Sequence, residues 1–381
     1  MLYKNNWEET KQKWTNYWKR QNTGRPLMCI IADKEEAKDA QRALALKSKD
    51  PEDKYLNAQR IVERFRYFCE THEFLAESFP NLSVDFGPGS MAAYLGCNIV
   101  FNERTAWFVE FVKDWISYPD LVFNPESPWF KKHIELFQNV KELAGDDFYL
   151  GIPDIMENID VLASMRGAQD TIFDMMDEPE EVHRRIDQID QIYYEYYDRF
   201  YEIAKDRENG SCYTVFQIWG PGKTIKLQCD FSAMMSPGQF REFIQDSLRK
   251  QAKQADHVLY HLDGPDAIKH VDAVMEIEEI DALQWTSGDY GPDGTFEEWY
   301  PIYDKAVAAG KGLWVKVYSG EFEEWLFRLD KLVARYGSNA LFLYFSPMPM
   351  ERAKKLLEYA EQNWSDIEGS YIRELKSRKE S

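Results

Sequence analysis

The chain has 381 residues, enough to bury a large core, and it carries 46 basic against 66 acidic side chains, for a net charge of −20. Such an acidic chain repels phosphate backbones and anionic lipid, so we expect neither a nucleic acid nor a membrane as partner. The N-terminus has no apolar signal core, and the five cysteines form no close pair, which argues against a disulfide framework. We therefore expect a cytoplasmic protein.

The first elements predicted along the chain are a helix and a series of strands. Residues 1–25 carry Trp7, Trp14 and Trp18 at helical spacing, which predicts an N-terminal helix that packs on the rest of the fold. Eight short apolar runs follow, as expected for parallel strands buried on both faces. The runs are Pro26–Ala32, Leu82–Phe86, Phe148–Ile152, Tyr213–Trp219, His257–Leu262, Ala282–Trp285, Leu313–Val317 and Leu341–Phe345.

Helical patterns separate these runs. One begins at the acidic, proline-led segment from Asp177 and continues to Ile203 with apolar residues three and four apart. Others are predicted from Ser236, over Thr295–Ala308, over Phe322–Tyr336 and over Pro349–Ala360. Eight alternating strands and helices predict an α/β fold, a (β/α)8 TIM barrel with an N-terminal helical extension, as a single domain over residues 1–381. An open doubly wound sheet is disfavoured because no G-x-G-x-x-G follows an early strand.

The end of the fifth run carries the strongest candidates for chemistry. His261 and Asp263 lie two residues apart, before Gly264-Pro265 ends the strand. Alternate residues of a strand share a face, and active sites of barrels lie at the carboxyl ends of the strands. The pair could bind zinc, act as a general acid and base, or bind substrate without catalysis. The residues alone leave all three roles open.

Other strand ends complete a predicted pocket for a small molecule. Asp154 is a further candidate for catalysis, and Asp85 and Gln217 are candidates for orienting the substrate. Aromatic walls, which suit a sugar ring, an aryl group or a methylated ammonium, are predicted from Trp219, Trp285, Tyr318 and Tyr344. The same strand-end positions also include Asp33, Glu157, Asp289 and Lys316.

Four stretches resemble the uroporphyrinogen decarboxylase superfamily, which includes the porphyrinogen decarboxylase and the cobamide-dependent methyltransferases. They are Leu95-Gly96, the helix start from Ser232 through Met235-Ser236-Pro237 to Phe240, His261-Leu262-Asp263-Gly264, and Ala308-Ala309-Gly310-Lys311. The resemblance covers most of the chain, is strongest from Phe216 to Val317, and implies a barrel fold.

The chain departs from the decarboxylase pattern at two places. The decarboxylases carry an arginine-rich loop after strand one and a Gly-His pair after strand eight, whereas this chain has Asp33-Lys34 and Ser346-Pro347 there. The anionic arms of a porphyrinogen would therefore meet too few cations. The resemblance favours the methyltransferase branch.

In that branch, His-x-Cys at the end of strand five and a cysteine near strand eight hold a zinc ion that activates a thiol. Here His261 matches, Asp263 replaces the cysteine, and residues 344–346 contain no cysteine. The implied metal ligands are His261 and Asp263, a harder set that suits oxygen or amine substrates. Either a carboxylate elsewhere in the chain completes a zinc site, or no ion is bound.

The resemblance thus implies an enzyme that moves a methyl group between a small methylated substrate and a corrinoid protein. The corrinoid would belong to the partner, because the pattern Asp-x-His-x-x-Gly is absent. The resemblance also implies a homodimer. Two other classes remain open: a decarboxylase, lyase or hydrolase that uses Asp154 or Asp263 as acid or base on an aromatic-walled substrate such as a sugar, and a non-catalytic ligand-binding barrel.

Overall fold

The computed structural model of the protein describes residues 1–288 and 291–380. The strands are β1 (Leu27–Asp33), β2 (His72–Ala76), β3 (Asn81–Leu82), β4 (Asn98–Phe101), β5 (Ala106–Val109), β6 (Tyr149–Leu150), β7 (Ser211–Tyr213), β8 (Ile218–Gly220), β9 (Thr224–Gln228), β10 (His257–Asp263), β11 (Ala282–Thr286), β12 (Gly312–Val317), β13 (Leu341–Phe345) and β14 (Met348–Pro349). The helices are α1 (Trp7–Trp18), α2 (Ala40–Ala45), α3 (Pro51–Leu56), α4 (Ala58–Thr71), α5 (Ser90–Tyr94), α6 (Pro128–Ala144), α7 (Asn158–Arg166), α8 (Ala168–Asp177), α9 (Pro179–Ala204), α10 (Pro237–Phe243), α11 (Gln245–Ala252), α12 (Val271–Met275), α13 (Tyr300–Ala308), α14 (Phe322–Tyr336), α15 (Met350–Asn363) and α16 (Ser370–Glu380).

The centre of the fold is an eight-stranded sheet. Seven strands pair in parallel in the order β14, β1, β13, β12, β11, β10 and β9, and β2 pairs antiparallel with β1. Helices lie between the consecutive strands from β9 to β13, as parallel pairing requires. The predicted α/β class with a parallel central sheet is confirmed.

Three further strand pairs lie outside this sheet. β3 and β6 pair in parallel, whereas β4 with β5 and β7 with β8 form antiparallel hairpins. A hydrogen bond of 2.8 Å from the Ile152 amide to the Cys212 carbonyl joins the end of β6 to β7. In the described part of the chain, the paired strands do not form one closed ring.

The N-terminal helix α1 packs on the sheet, as the tryptophan spacing predicts. The ring of Trp14 meets that of Phe342 at 4.7 Å, and the ring of Trp18 stacks on His257 at 5.0 Å. His257 begins β10, so α1 covers the amino ends of the strands, opposite the end that carries His261. All helices of the described residues are too short or too polar to cross a membrane.

The fourth predicted strand is wrong. Its residues, Tyr213–Trp219, form the end of β7, a short turn and most of β8, and Gln217 has the left-handed φ of 53°. The strand that pairs with β10 is β9 instead. In β9 the polar Lys226 and Gln228 alternate with apolar Ile225 and Leu227, so its sequence has no continuous apolar run.

Candidate functional site

Three side chains that can bind a metal meet at the carboxyl ends of β9 and β10. Asp230 follows β9, and His261 and Asp263 share one face of β10. The three residues each offer one ligand atom, and these atoms lie within 4.8 Å of one another. Imidazole nitrogen and carboxylate oxygen are both donors that zinc accepts, at bond lengths of about 2.0–2.2 Å.

The register of the parallel strands arranges the neighbouring residues in rows. His261 lies opposite Gln228 on β9 and Gln284 on β11. Two positions further along, Asp263 lies opposite Thr286, and Lys316 lies opposite Tyr344 on β13. Since side chains alternate between the two faces of a strand, each row brings polar groups from several strands to one surface.

Gln284 orients the imidazole of His261. Oε1 of Gln284 contacts Nδ1 of His261, and Nε2 of Gln284 donates to the hydroxyl of Thr286 at 2.7 Å. Because an amide oxygen only accepts, Nδ1 of His261 carries a hydrogen, and in the neutral ring Nε2 keeps its lone pair. A partner of this kind on the second ring nitrogen is usual for histidines that bind metals. Nε2 is therefore the atom of His261 that is free for chemistry.

Aromatic side chains line the approach to His261. The ring of Phe216 lies 5.1 Å from the imidazole, and the carbonyl of Phe216 accepts a 2.8 Å hydrogen bond from Nε1 of Trp314. Trp314 in turn stacks on Tyr344, with ring centroids 5.1 Å apart. Tyr344 is half-buried in this stack, consistent with the predicted wall.

A cavity of about 370 Å³ opens beside Asp263. Its lining residues are Asp263, Trp285, Thr286, Ser287, Gly288, Asp293, Gly294, Lys316 and Tyr318. Among the described residues, the Asp263 carboxylate has no hydrogen-bond or salt-bridge partner, and Tyr318 is 46% exposed. Three residues predicted for the site, Asp263, Trp285 and Tyr318, thus line one cavity.

A second group of charges lies deeper, around the fully buried Lys226. Its Nζ is 2.9 Å from the Asp154 carboxylate and 3.8 Å from that of Glu157, and it donates to Oε1 of Gln228. Asp154 is only 7% exposed. The predicted catalytic residue Asp154 is therefore an ion-pair partner closed to solvent, rather than an acid or base open to substrate.

Burial raises the pKa of several carboxyl groups in this region. It raises the pKa of Glu157 to about 8, and with the charge of Asp230 it raises that of Asp160 to about 7. Burial and the charge of Asp154 raise the pKa of Asp85 to about 7. Burial also raises the pKa of Asp230, whereas the charges of His261 and Lys226 oppose this shift. Too many carboxylates share the site for one buried lysine to neutralise.

Two of the remaining predicted residues, Asp85 and Gln217, lie apart from the three candidate metal ligands. Asp85 accepts hydrogen bonds from the amides of Gly87 and Asp154, and Oε1 of Gln217 accepts one from Asn81. Trp285 is buried against Trp299, on the face of its strand opposite Gln284. Asp289 lies outside the described residues.

Trp219 requires a correction. Its ring packs edge-on against Trp7 at 5.6 Å, and its carbonyl accepts a 2.8 Å hydrogen bond from Trp18. Both partners belong to α1, so Trp219 lies at the amino ends of the strands and forms no wall of this site. The error follows from the wrong fourth strand. A parallel strand over Tyr213–Trp219 would have placed Trp219 at the carboxyl ends of the strands, where the site lies.

Sequence reasoning also missed Lys226, Gln228 and Asp230. All three depend on β9, which an apolar-run criterion does not detect. Strict alternation over Thr224-Ile225-Lys226-Leu227-Gln228 is the signal that would have found the strand. The polar residues Cys229-Asp230 would then mark its carboxyl end and place Asp230 beside His261.

Comparison with solved structures shows that the fold of this chain occurs in other proteins. The chain is similar in fold to a methyltransferase from Methanosarcina mazei. The TM-score is 0.59 at 11% sequence identity, over 93% of this chain and 98% of that chain. At this identity the likeness concerns the fold. No family model matches the chain, and no curated protein matches it.

Proposed function

We propose that the protein is a methyltransferase that moves a methyl group between a small methylated substrate and a corrinoid carried by a partner protein. The observation that carries the proposal is the meeting of Asp230, His261 and Asp263 at the carboxyl ends of neighbouring strands. The fold similarity to a methyltransferase supports it. The residue resemblance to the cobamide-dependent branch of the uroporphyrinogen decarboxylase superfamily points the same way.

In this proposal the sheet belongs to a (β/α)8 barrel. β3, β6 and β7 would complete the ring between β1 and β9, and α1 would cover its amino end. The hydrogen bonds from Gly151 to Leu82 and from Ile152 to Cys212 support this closure, because they continue the parallel pairing from β3 through β6 to β7. Substrate and corrinoid would then both approach from the carboxyl ends of the strands.

The three side chains would hold a divalent ion such as zinc, which accepts both imidazole and carboxylate donors. Bound zinc supplies a Lewis acid that stabilises charge on the heteroatom losing its methyl group. Asp263 replaces the sulfur donor of the methyltransferase relatives, and Asp230 is the carboxylate that completes the set. Harder oxygen donors favour an oxygen or amine leaving atom over a thiol.

The other residues of the chain would position this centre. Gln284 fixes the tautomer of His261, so that Nε2 faces the reacting group. Nε2 of Gln228 donates to Asp230 at 2.9 Å, while Oε1 of Gln228 accepts from Lys226. Lys226 thereby positions the Asp230 carboxylate through the side-chain amide of Gln228. Phe216, Trp314 and Tyr344 exclude water from one side of the substrate.

Methyl transfer to free cob(I)alamin under reducing conditions tests the proposal. We expect turnover with at least one member of a panel of methyl ethers and methylamines, and a loss of about 100-fold or more in His261→Ala. His183→Ala is the matched control, because His183 is a surface histidine paired loosely with Glu242 at 3.8 Å. Absence of turnover with every panel member in the zinc-loaded protein contradicts the proposal.

A further inference from the structure

A cationic side chain, that of Lys316, lies across the same cavity from Asp263. Lys316 projects from β12 into the cavity, and its side chain is exposed. Among residues 1–288 and 291–380 it forms no salt bridge. Lys226, the other lysine near the site, is fully buried and paired with carboxylates. Among the described residues that line the cavity, Lys316 is therefore the basic side chain that a ligand can reach.

Two tyrosines hold the ammonium group of Lys316 in place. Its Nζ lies 5.6 Å from the ring centre of Tyr318 and 5.9 Å from that of Tyr344. Contact with ring faces orients an ammonium group but provides no strong hydrogen-bond acceptor. The N–H donors of Lys316 thus stay available for an anion.

The distance from Lys316 to the proposed metal-binding residues fits a small molecule. Asp263 lies opposite Thr286 on β11, and β11 is the single strand between β10 and β12. Adjacent strands are about 4.8 Å apart, so the backbones of Asp263 and Lys316 are separated by about 10 Å. A ligand of about six to ten non-hydrogen atoms spans such a gap, and the cavity of about 370 Å³ lies within the roughly 300–1,000 Å³ range of small-molecule pockets.

Charge fixes the direction in which such a ligand would bind. Lys316 attracts an anionic group at the β12 side, whereas a divalent ion at the β9–β10 side would have its charge balanced by the carboxylates of Asp230 and Asp263. Because the donor set contains no sulfur, it favours an oxygen or amine leaving atom. The methylated oxygen or nitrogen of the substrate would therefore face His261. Attraction of the anionic group to Lys316 therefore favours one orientation of the substrate.

We infer that the substrate is a methylated compound that also carries a carboxylate, and that Lys316 binds this carboxylate while the methylated heteroatom faces His261. This inference rests on the proposed methyl transfer for the identity of the reacting end. Lys316 is thus a specificity-determining residue, since it distinguishes an anionic substrate from a neutral one of the same shape.

Binding measured without any corrinoid tests the inference separately from the reaction. The probes are two matched pairs, para-methoxybenzoate with para-methoxybenzamide and methoxyacetate with methoxyacetamide, titrated calorimetrically into the zinc-loaded full-length protein. We expect the wild type to bind at least one carboxylate about tenfold more tightly than its amide. Lys316→Met removes this preference, Lys316→Arg retains it, and Lys354→Met, a change on the exposed face of α15, leaves it unchanged.

The outcomes separate the two proposals. A carboxylate preference that depends on Lys316 supports the anion site even where methyl transfer fails, and only the reaction is then contradicted. Equal binding of acid and amide, a preference that survives in Lys316→Met, or no binding of either carboxylate overturns the inference. Methyl transfer from neutral substrates alone, at unchanged rates in Lys316→Met, also overturns it.

Discussion

Two groups of carboxylates lie at or beyond the carboxyl ends of β6, β9 and β10, and they differ in access to water and in their cation. Asp154 and Glu157 are closed to solvent and share the buried ammonium group of Lys226. Asp230 and Asp263 lie at the strand ends beside His261, and no lysine or arginine among the described residues pairs with either. Carboxylates thus stabilise the fold where a buried lysine pairs with them. Where no such cation pairs with them, they are free to bind a ligand.

The comparison makes opposite demands on variants of the two groups. A change in the closed group, which consists of Asp154, Glu157 and Lys226, should alter the free energy of unfolding, because an unpaired charge buried without water is costly. A change in the open group, which consists of Asp230 and Asp263, should alter ligand binding and turnover. It should leave the free energy of unfolding nearly unchanged. The predictions below use this contrast.

The largest effect is expected for Lys226→Met. The variant leaves Asp154 and Glu157 buried without their cation, which should lower the free energy of unfolding by about 3–5 kcal/mol. Urea denaturation followed by circular dichroism measures this change. Lys223→Met is the control, since Lys223 pairs with the half-exposed Asp198 and should cost at most about 1 kcal/mol. Equal losses in the two variants would show that the closed group does not depend on its lysine.

Asp263→Asn should separate activity from stability in the open group. Because the Asp263 carboxylate has no hydrogen-bond or salt-bridge partner among the described residues, the amide should change the free energy of unfolding by less than about 1 kcal/mol. Methyl transfer should fall by about 100-fold, equivalent to about 2.7 kcal/mol, because a charged oxygen donor is lost. Activity within a factor of about two of the wild type would remove Asp263 from the site.

Glu157→Gln should produce a smaller effect that depends on pH. Burial raises the pKa of Glu157 from 4.5 to about 8, so the folded protein holds this proton more tightly than the unfolded chain does. The stability contributed by the group is complete below about pH 4.5 and is lost as the pH rises towards 8. Relative to the wild type, the glutamine variant should therefore gain stability with rising pH, by at most about 1.4 kcal/mol per pH unit within this window.

Thermal unfolding at several pH values between these limits checks the Glu157 prediction. Glu142→Gln, on the exposed face of α6, is the control and should follow the wild type at each pH. A difference between Glu157→Gln and the wild type that stays constant with pH would mean that Glu157 is already ionised in the folded protein.

The sequence predicted the part of the sheet whose strands are continuous apolar runs. The run His257–Leu262 became β10, and the spacing of His261 and Asp263 alone placed both side chains on one face at its end. The helix predicted over Phe322–Tyr336 was observed with the same limits. Capping by Ser236 and Gln239 likewise starts α10 where the Ser-Pro signal indicates.

The sequence could not predict the partners that depend on long-range pairing. β9 contains Lys226 because Asp154, 72 positions earlier in the chain, neutralises it, and no local pattern carries that information. Asp230 joins His261 only through the parallel register of β9 with β10. Apolar content misled at Trp219, which is buried against α1 rather than at the site. Local pattern therefore identified two of the three candidate metal ligands, His261 and Asp263, and tertiary pairing supplied the third, Asp230.

Metal binding tests the central claim most directly. Wild-type protein, His261→Ala, Asp230→Asn and the control His183→Ala are dialysed against Zn²⁺, and the metal retained per chain is measured together with far-UV circular dichroism. The account predicts one equivalent of zinc in the wild type and in the control, and its loss in the two site variants with the fold retained. A zinc-free wild type, or equal zinc content in all four folded proteins, would contradict it.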